Sequence, residues 1–191
     1  MSKKKILILG GSGFIGQNLF VNLKKKYIVH KFGNKREKSQ IINLKNLKNL
    51  KYNFDLIINC AGDSVVKNSY NTNLNNDYKI VLDVIKYITK YKPETKLFQI
   101  SSASVYGNSI SSLKLKPISP YSKRKLSCEN LLKKFSKKKK INYKILRFFS
   151  VYGNGIRKQL FWETCKKIRK KDYIFQGTGQ EIRSWMHIDD L

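Results

Sequence analysis

Residues that could move a proton occur in two short segments near the middle of the chain. Tyr121 and Lys125 are four residues apart, so on a helix they would lie on the same face. A phenol ordinarily ionises near pH 10, but a nearby ammonium favours the phenolate and makes the oxygen a better proton acceptor. Ser102 could hydrogen-bond the same reacting oxygen. These residue types predict proton transfer at a hydroxyl or carbonyl group.

A second chemical signal is a glycine-rich segment near the start of the chain. Gly10, Gly13 and Gly16 follow a short apolar run and open a segment with helical spacing. Glycines there permit a tight turn, approach of the backbone to a pyrophosphate, and close packing of a helix on a strand. The first amides of the helix and its positive dipole end also favour phosphate. An ordinary turn requires fewer glycines, so the segment predicts a dinucleotide site.

The residues after the second apolar run bear on the choice of dinucleotide. A carboxylate at this point would bind the ribose hydroxyl groups of NAD(H). Here the chain has Gly33, followed by Asn34, Lys35 and Arg36. A glycine with basic neighbours leaves room for a 2′-phosphate, which favours NADP(H) over NAD(H). NAD(H) stays open, because Lys35 and Arg36 could equally be solvated surface residues.

The elements that would position these residues alternate along the chain. Apolar runs predict strands at 6–9, 27–32, 40–44, 55–60, 96–101 and 143–148. Helical spacing predicts helices at 14–26, 73–91 and 121–135. This alternation predicts an α/β fold with a doubly wound parallel sheet of the Rossmann type, spanning residues 1–155. A helix at 158–169 and a strand at 173–176 would begin a substrate lobe at 156–191.

Composition narrows the class of protein. Lysine and arginine total 40 against 12 acidic residues, a net charge of +28, but 34 of the 40 are lysine and they are spread along the chain. Nucleic-acid-binding proteins favour arginine on one face, so the charge favours anionic small substrates over nucleic acid. No apolar run approaches the roughly 20 residues of a membrane span. Three separated cysteines indicate free thiols in a reducing cytoplasm and no metal site.

Together these motifs resemble the extended short-chain dehydrogenase/reductase family of nucleotide-sugar epimerases, dehydratases and ketoreductases. The resemblance covers essentially the whole chain. It rests on Gly-Gly-Ser-Gly-Phe-Ile-Gly at 10–16, Asn-Cys-Ala-Gly at 59–62, Ser-Ser-Ala-Ser-Val-Tyr-Gly at 101–107, Pro-Tyr-Ser-Lys-Arg-Lys at 120–125, Arg-Phe-Phe-Ser-Val-Tyr-Gly-Asn-Gly at 147–155, and Arg-Ser-Trp-Met-His-Ile-Asp-Asp-Leu at 183–191.

The resemblance implies a role for each matching residue. Ser102, Tyr121 and Lys125 would be catalytic, and the latter two would also contact the cofactor. Further cofactor contacts would come from Gly10, Ser12, Gly13, Phe14, Ile15, Gly16, Asn43, Leu44, Ala61 and Gly62, with Asn34, Lys35 and Arg36 near the adenosine ribose. Substrate contacts would come from Ser104, Tyr106, Ser150 and Arg183.

Departures from the family pattern refine these expectations. Ser150 stands where relatives have an asparagine that touches the sugar-nucleotide diphosphate. The segment after Ser102 lacks the Asp-Glu pair of the dehydratases, which favours a UDP-sugar 4-epimerase or a 4-ketoreductase. Family members continue beyond Leu191, so we expect a truncated chain that binds cofactor and turns over little. Pairing as a homodimer is also implied. The alternative is a non-catalytic Rossmann-fold protein that binds a nucleotide or RNA, against which the intact Ser/Tyr/Lys set argues.

Overall fold

The computed structural model describes residues 3–32, 53–62, 75–108, 114–175 and 177–191. Its strands are β1 Lys5–Leu9, β2 Ile28–Phe32, β3 Leu56–Asn59, β4 Lys96–Ser102, β5 Tyr143–Phe148, β6 Ser150–Tyr152 and β7 Trp185–His187. Its helices are α1 Phe14–Leu23, α2 Asn75–Tyr91, α3 Pro120–Lys139 and α4 Gln159–Arg169, with 3₁₀ turns at Ala103–Tyr106 and Ile188–Asp190. The strand predicted at 40–44 lies outside the described residues.

Strands β1 to β5 form one parallel sheet in the order β2-β1-β3-β4-β5. Strand β1 is therefore central, with Leu7 opposite His30 of β2 on one side and Ile57 of β3 on the other. The strand order reverses between β1 and β3, and at such a point the carboxyl ends of neighbouring strands open a crevice for ligands. The predicted α/β fold of the Rossmann type is confirmed.

The sheet is covered on both faces, which explains why its central strands are continuously apolar. Leu7 and Leu9 of β1 pack with the buried sides of α2 and α3, whereas Ile6 and Ile8 pack with α1. Leu7 and Ile8 are both completely buried, although they point to opposite faces. Each strand is thus fixed between two apolar layers, and the ends of the strands are held in register.

Helix α3 begins and ends with recognisable signals. The Ser119 side chain accepts a hydrogen bond from the Ser122 amide, and Pro120 occupies the first turn. The helix runs to Lys139, beyond the predicted 121–135, because lysine is a good helix former and is favourable near a helix carboxyl end. Lys140 then closes it in a left-handed conformation with φ 51°. Helix α1 instead ends at Leu23, short of the predicted 14–26, where its apolar face ends.

The chain separates into two compact units, one ending at Phe148 and one comprising Phe149–Leu191. In the second unit β6 pairs in parallel with β7, a pairing that the sequence did not predict. The strand predicted at 173–176 is wrong over 173–175, which is irregular and has exposed side chains; residue 176 lies outside the described residues. An apolar run alone does not make a strand, because a strand also requires a partner for its backbone groups.

Within the described part of the chain, no helix combines the length and the apolar character that crossing a membrane requires.

Candidate functional site

The glycine-rich turn is shaped by contacts that leave no room for side chains. Gly10 has φ +74°, and a Cβ atom on it would lie 2.7 Å from the backbone nitrogen of Ala61. A Cβ atom on Gly16 would lie 2.3 Å from the Gly10 carbonyl oxygen. The turn after β1 therefore packs directly on the segment after β3 and on the first turn of α1. Gly10 and Gly16 are required for the turn itself, whatever it binds.

Gly13 differs from these two glycines because it is exposed. Its amide donates to the Gly10 carbonyl at 3.0 Å, and an added Cβ atom would meet only that oxygen, at 3.3 Å. Helix α1 starts at Phe14 with no side-chain hydrogen bond capping it. Uncapped amides next to an exposed glycine are the donor set that a pyrophosphate requires. Ser12 is exposed beside Gly13, so these residues fit the phosphate groups of a dinucleotide.

The segment after β3 is held by buried amides. Asn59 donates from Nδ2 to Oε1 of Gln99 at 2.8 Å, and its Oδ1 accepts from the Ala61 amide at 3.1 Å. These bonds fix the chain as it leaves the sheet. Gly62 follows with φ +138°, a conformation that L side chains rarely adopt. Ala61 and Gly62 thus lie beside the glycine turn, where the sequence predicts the cofactor to pass.

Ser102 ends β4 and begins the 3₁₀ turn that follows. Its Oγ accepts a hydrogen bond from the Ser104 amide at 3.2 Å, which caps the turn. Because the oxygen is used as an acceptor, the hydroxyl hydrogen remains a donor for another oxygen. Ser102 is half-buried at the carboxyl edge of the sheet, whereas Ser104 is exposed.

Tyr121 and Lys125 lie together near the start of α3. The Lys125 Nζ atom is 5.7 Å from the centroid of the Tyr121 ring, and the Arg124 guanidinium carbon is also 5.7 Å from it. The Lys125 side chain is only 11% exposed. Both cations therefore lie beside the same phenol ring. The spacing predicted from the sequence therefore brings this pair together.

An acidic residue that the sequence analysis did not single out completes this group. Asp77 of α2 is buried, and its Oδ2 atom lies 3.1 Å from the Arg124 Nε and 3.8 Å from the Lys125 Nζ. The same oxygen would lie 2.7 Å from a Cβ atom on Gly62. Asp77 therefore links the end of β3 to the start of α3. No local pattern marks it, because its partners lie on other elements.

A second buried carboxylate ties α3 to the loop after β4. Glu129 is fully buried and pairs with Arg147 of β5 at 2.6 Å and 2.9 Å, and it accepts from the Ser101 hydroxyl at 2.6 Å. The Arg147 Nη1 donates to the hydroxyl of Tyr106 at 2.8 Å. The hydrogen bonds to Glu129 keep the pKa of Arg147 above its usual range. Tyr106 accepts from Arg147, so its own hydrogen can point to a ligand.

Two thiols lie near these charged groups. Burial raises the pKa of Cys60 to about 12, although the Lys125 ammonium acts in the opposite direction. Burial also raises the pKa of Cys128 to about 11, and the Asp77 carboxylate adds to the increase. Both thiols stay protonated at neutral pH, so neither is a candidate nucleophile. Among the described residues no group of histidine, cysteine and acidic side chains could hold a metal ion.

Several predicted contacts lie elsewhere in the chain. Asn34, Lys35, Arg36, Asn43 and Leu44 are outside the described residues. Ser150 is half-buried in β6 and Arg183 is exposed before β7, both in the second unit. The predicted roles of all these residues stay predictions. The described site therefore consists of the glycine turn, the segment after β3, the loop after β4 and the start of α3.

A parallel α/β sheet whose first strand leads through a glycine-rich turn into a helix defines a Rossmann-type protein. The model of the NAD dependent epimerase/dehydratase family matches residues 6–191. The chain belongs to this family, which confirms the resemblance drawn from its motifs.

Individual relatives are distant in sequence but similar over nearly the whole chain. The chain is 26% identical to the dTDP-D-glucose 4,6-dehydratase of Dictyostelium discoideum, over 98% of the chain and 54% of that protein. It is 25% identical to the ADP-L-glycero-D-manno-heptose-6-epimerase of Brachyspira hyodysenteriae, over 97% of the chain and 69% of that protein. Among solved structures, the chain is 27% identical to the UDP-glucuronic acid 4-epimerase of Bacillus cereus in complex with UDP-glucuronic acid and NAD. The two structures superpose with a TM-score of 0.80, over 97% of this chain and 70% of that one. The chain therefore spans between half and about two thirds of these proteins.

Proposed function

We propose that this chain carries the dinucleotide site and the proton-transfer site of a nucleotide-sugar epimerase or ketoreductase. The observation that carries the proposal is the placement of Lys125 beside Tyr121, 5.7 Å from its ring centroid, at the start of α3. A lysine paired with a tyrosine is the arrangement that makes a phenol useful as a base near neutral pH. Family membership supports the same reaction class.

The cofactor in this proposal is a nicotinamide dinucleotide, and its phosphates would lie at Ser12, Gly13 and the first amides of α1. The exposed Gly13 and the uncapped helix support this assignment. When bound, the nicotinamide supplies the hydride donor and acceptor. Ala61 and Gly62 would lie along the cofactor, because their segment packs against Gly10.

The protein groups would handle the proton. Tyr121 would take the proton from a sugar hydroxyl and return it in the reverse direction. Lys125 would stabilise the phenolate and contact the cofactor ribose. Ser102, whose oxygen already accepts from the Ser104 amide, would donate its hydroxyl hydrogen to the reacting oxygen. Burial of the lysine strengthens the interaction with the phenol, because water screens it less.

A nucleotide sugar is the proposed substrate class. The relatives named above are a dTDP-glucose dehydratase, an ADP-heptose epimerase and a UDP-glucuronic acid epimerase. Ser104, Tyr106, Ser150 and Arg183 are the proposed substrate contacts. We propose epimerisation or reduction and not dehydration, because residues 102–104 provide no carboxylate for removing a second proton.

The proposal covers both NAD(H) and NADP(H). Gly33, Lys35 and Arg36 favour a 2′-phosphate, whereas the Bacillus cereus structure is a complex with NAD. A competition titration at two salt concentrations separates them. If the basic pair binds a 2′-phosphate, the affinity for NADP(H) should fall as salt rises and that for NAD(H) should stay nearly constant. A preference for NAD(H) that is insensitive to salt would assign Lys35 and Arg36 to the solvated surface.

The function is tested in two stages on the purified chain. Calorimetry should detect binding of a nicotinamide dinucleotide. Single-turnover mixing of the oxidised complex with UDP- and dTDP-sugars at high protein concentration should then increase absorbance at 340 nm, even if transfer is slow. If the dinucleotide binds but none of the sugars changes the absorbance, the proposed catalytic activity is contradicted. Absence of binding, combined with salt-sensitive retention on RNA, would favour the non-catalytic alternative.

A further inference from the structure

The carboxylate of Asp77 is shared between two cations. Its Oδ2 atom is 3.1 Å from the Arg124 Nε and 3.8 Å from the Lys125 Nζ. The side chains of Asp77 and Arg124 are 8% and 3% exposed, so this pair is removed from water. A buried charge is costly unless it is paired, and one carboxylate here partners two adjacent residues of α3. The position of each cation therefore depends on the other.

Asp77 is also held in place from the opposite side. Its Oδ2 atom lies against Gly62, where even a Cβ atom would approach it to 2.7 Å. The carboxylate is thus held between the segment after β3 and the start of α3, with little space to move. A fixed anion next to a lysine determines where the ammonium lies. An ion pair with Arg124 alone would not require the second contact to Lys125.

We propose that Asp77 is a positioning residue that holds the Lys125 ammonium beside Tyr121, and that Arg124 competes for the same carboxylate oxygen. This inference rests on the proposed function only for the role of Lys125 in the reaction. The contact itself is a property of the free protein. Arg124 limits how tightly Asp77 holds the lysine, so the two substitutions should act on Lys125 in opposite directions.

The test measures how fast Lys125 is acylated in the free protein. Trace acetic anhydride at pH 8 acylates a lysine only in its neutral form, and mass spectrometry of chymotryptic peptides quantifies the acylation of each lysine. Asp77→Asn keeps the size of the side chain and removes the charge that Arg124 and Lys125 share. Acylation of Lys125 should become about five times faster, because the ammonium loses the carboxylate that holds it. Arg124→Met should slow it about twofold or more, because the variant removes the neighbouring cation that shares the Asp77 carboxylate with Lys125.

Controls separate this effect from simple loosening of the fold. Asp83→Asn changes a carboxylate on the same helix, six residues further along, and should leave the acylation of Lys125 unchanged. Lys123, exposed on α3, serves as the internal reference in every variant. Far-ultraviolet circular dichroism and the melting temperature report whether each variant is folded. Loosening of α3 would speed the acylation of Lys125 in both the Asp77 and Arg124 variants. The proposal instead requires faster acylation in the first variant and slower acylation in the second.

Equal acylation of Lys125 in the native protein and in Asp77→Asn, or acceleration in both variants, would overturn the proposal. If Asp77→Asn fails to fold, the slowing in Arg124→Met decides alone. A separate measurement addresses the proposed function: a saturating nicotinamide dinucleotide should protect Lys125 from acylation. If the dinucleotide gives no protection while the two variants still change the acylation rate in opposite directions, the role of Lys125 at the cofactor is contradicted and the Asp77 inference stands.

Discussion

Tyr121 lies close to two cations. The Lys125 Nζ atom and the Arg124 guanidinium carbon are each 5.7 Å from the centroid of its ring. Only Lys125 is placed by the four-residue spacing, and Arg124 is engaged by Asp77. Removing only the Tyr121 hydroxyl should therefore impair proton transfer while leaving cofactor binding intact. Its ring and its hydroxyl serve different purposes in the proposed site.

Tyr121→Phe should leave dinucleotide affinity within about twofold of the native value, because the ring remains. Hydride transfer to or from a nucleotide sugar should slow by about 100-fold or more, because the proton acceptor is lost. Calorimetry and single-turnover absorbance at 340 nm measure the two effects. Tyr91→Phe, at a 40% exposed tyrosine of α2, is the matched control and should change neither. Undiminished transfer in the Tyr121 variant would remove this residue from the mechanism.

The turn between β1 and α1 contains glycines with two different purposes. Gly16→Ala should destabilise the protein, because its Cβ atom would lie 2.3 Å from the Gly10 carbonyl oxygen. Gly13→Ala should destabilise the protein much less, since its Cβ atom would crowd only that oxygen, at 3.3 Å. It should nevertheless weaken dinucleotide binding about tenfold or more, because the methyl group occupies the place of the pyrophosphate. Urea unfolding and calorimetry measure both effects, and unchanged affinity in Gly13→Ala would reject the phosphate assignment.

Helix α3, strand β5 and the loop after β4 are joined through Glu129 and Arg147. Arg147→Met should lower the free energy of unfolding by about 3 kcal/mol, because the fully buried Glu129 carboxylate loses its bidentate partner. The Ser101 hydroxyl and the Lys133 ammonium, 3.9 Å away, replace it only in part. The double variant Glu129→Leu/Arg147→Met should recover part of this loss, since the buried carboxylate that needs a partner is then absent. Urea unfolding measures both. A loss in the double variant equal to the sum of the two single losses would indicate that the pair is not coupled.

The whole molecule should lose stability as the pH rises above 9, because two of its thiols keep their protons when folded. An ordinary thiol has a pKa of 9.0, whereas that of Cys128 is raised to about 11 and that of Cys60 to about 12. Between pH 9 and these values the unfolded chain ionises its thiols and the folded chain does not. Raising the pH therefore favours unfolding, and the full contribution of the thiols to stability is present only below pH 9.

Cys128→Ala should reduce this loss between pH 9 and 11 by about 1 to 2 kcal/mol, measured by urea unfolding across the pH range. The alanine variant is less stable at every pH because of the cavity, so the slope and not the absolute value is compared. Cys165→Ala, at an exposed cysteine, is the control and should leave the slope unchanged.

The homodimer implied by the family resemblance stays a prediction, which light scattering of the purified chain would test.

Local patterns in the sequence determined much of this protein. Short segments rich in apolar residues predicted the five strands of the described sheet. The run at 6–9 is continuously apolar because β1 is buried on both faces. The glycine spacing predicted the turn into α1, and the four-residue spacing placed Tyr121 next to Lys125. These features are encoded by neighbouring residues, so a single stretch of chain is sufficient to recognise them.

Only the tertiary structure decided which charges meet. Asp77 and Lys125 come from separate helices, and Glu129 meets Arg147 across a helix and a strand. Among the described residues β6 pairs with β7, whereas Tyr173–Phe175 pairs with no strand, and neither outcome follows from local spacing. Hydrogen bonds and ion pairs between distant segments depend on how the elements pack, and no local spacing encodes them. The residues that surround the proposed catalytic lysine therefore became visible only once α2 and α3 were placed together.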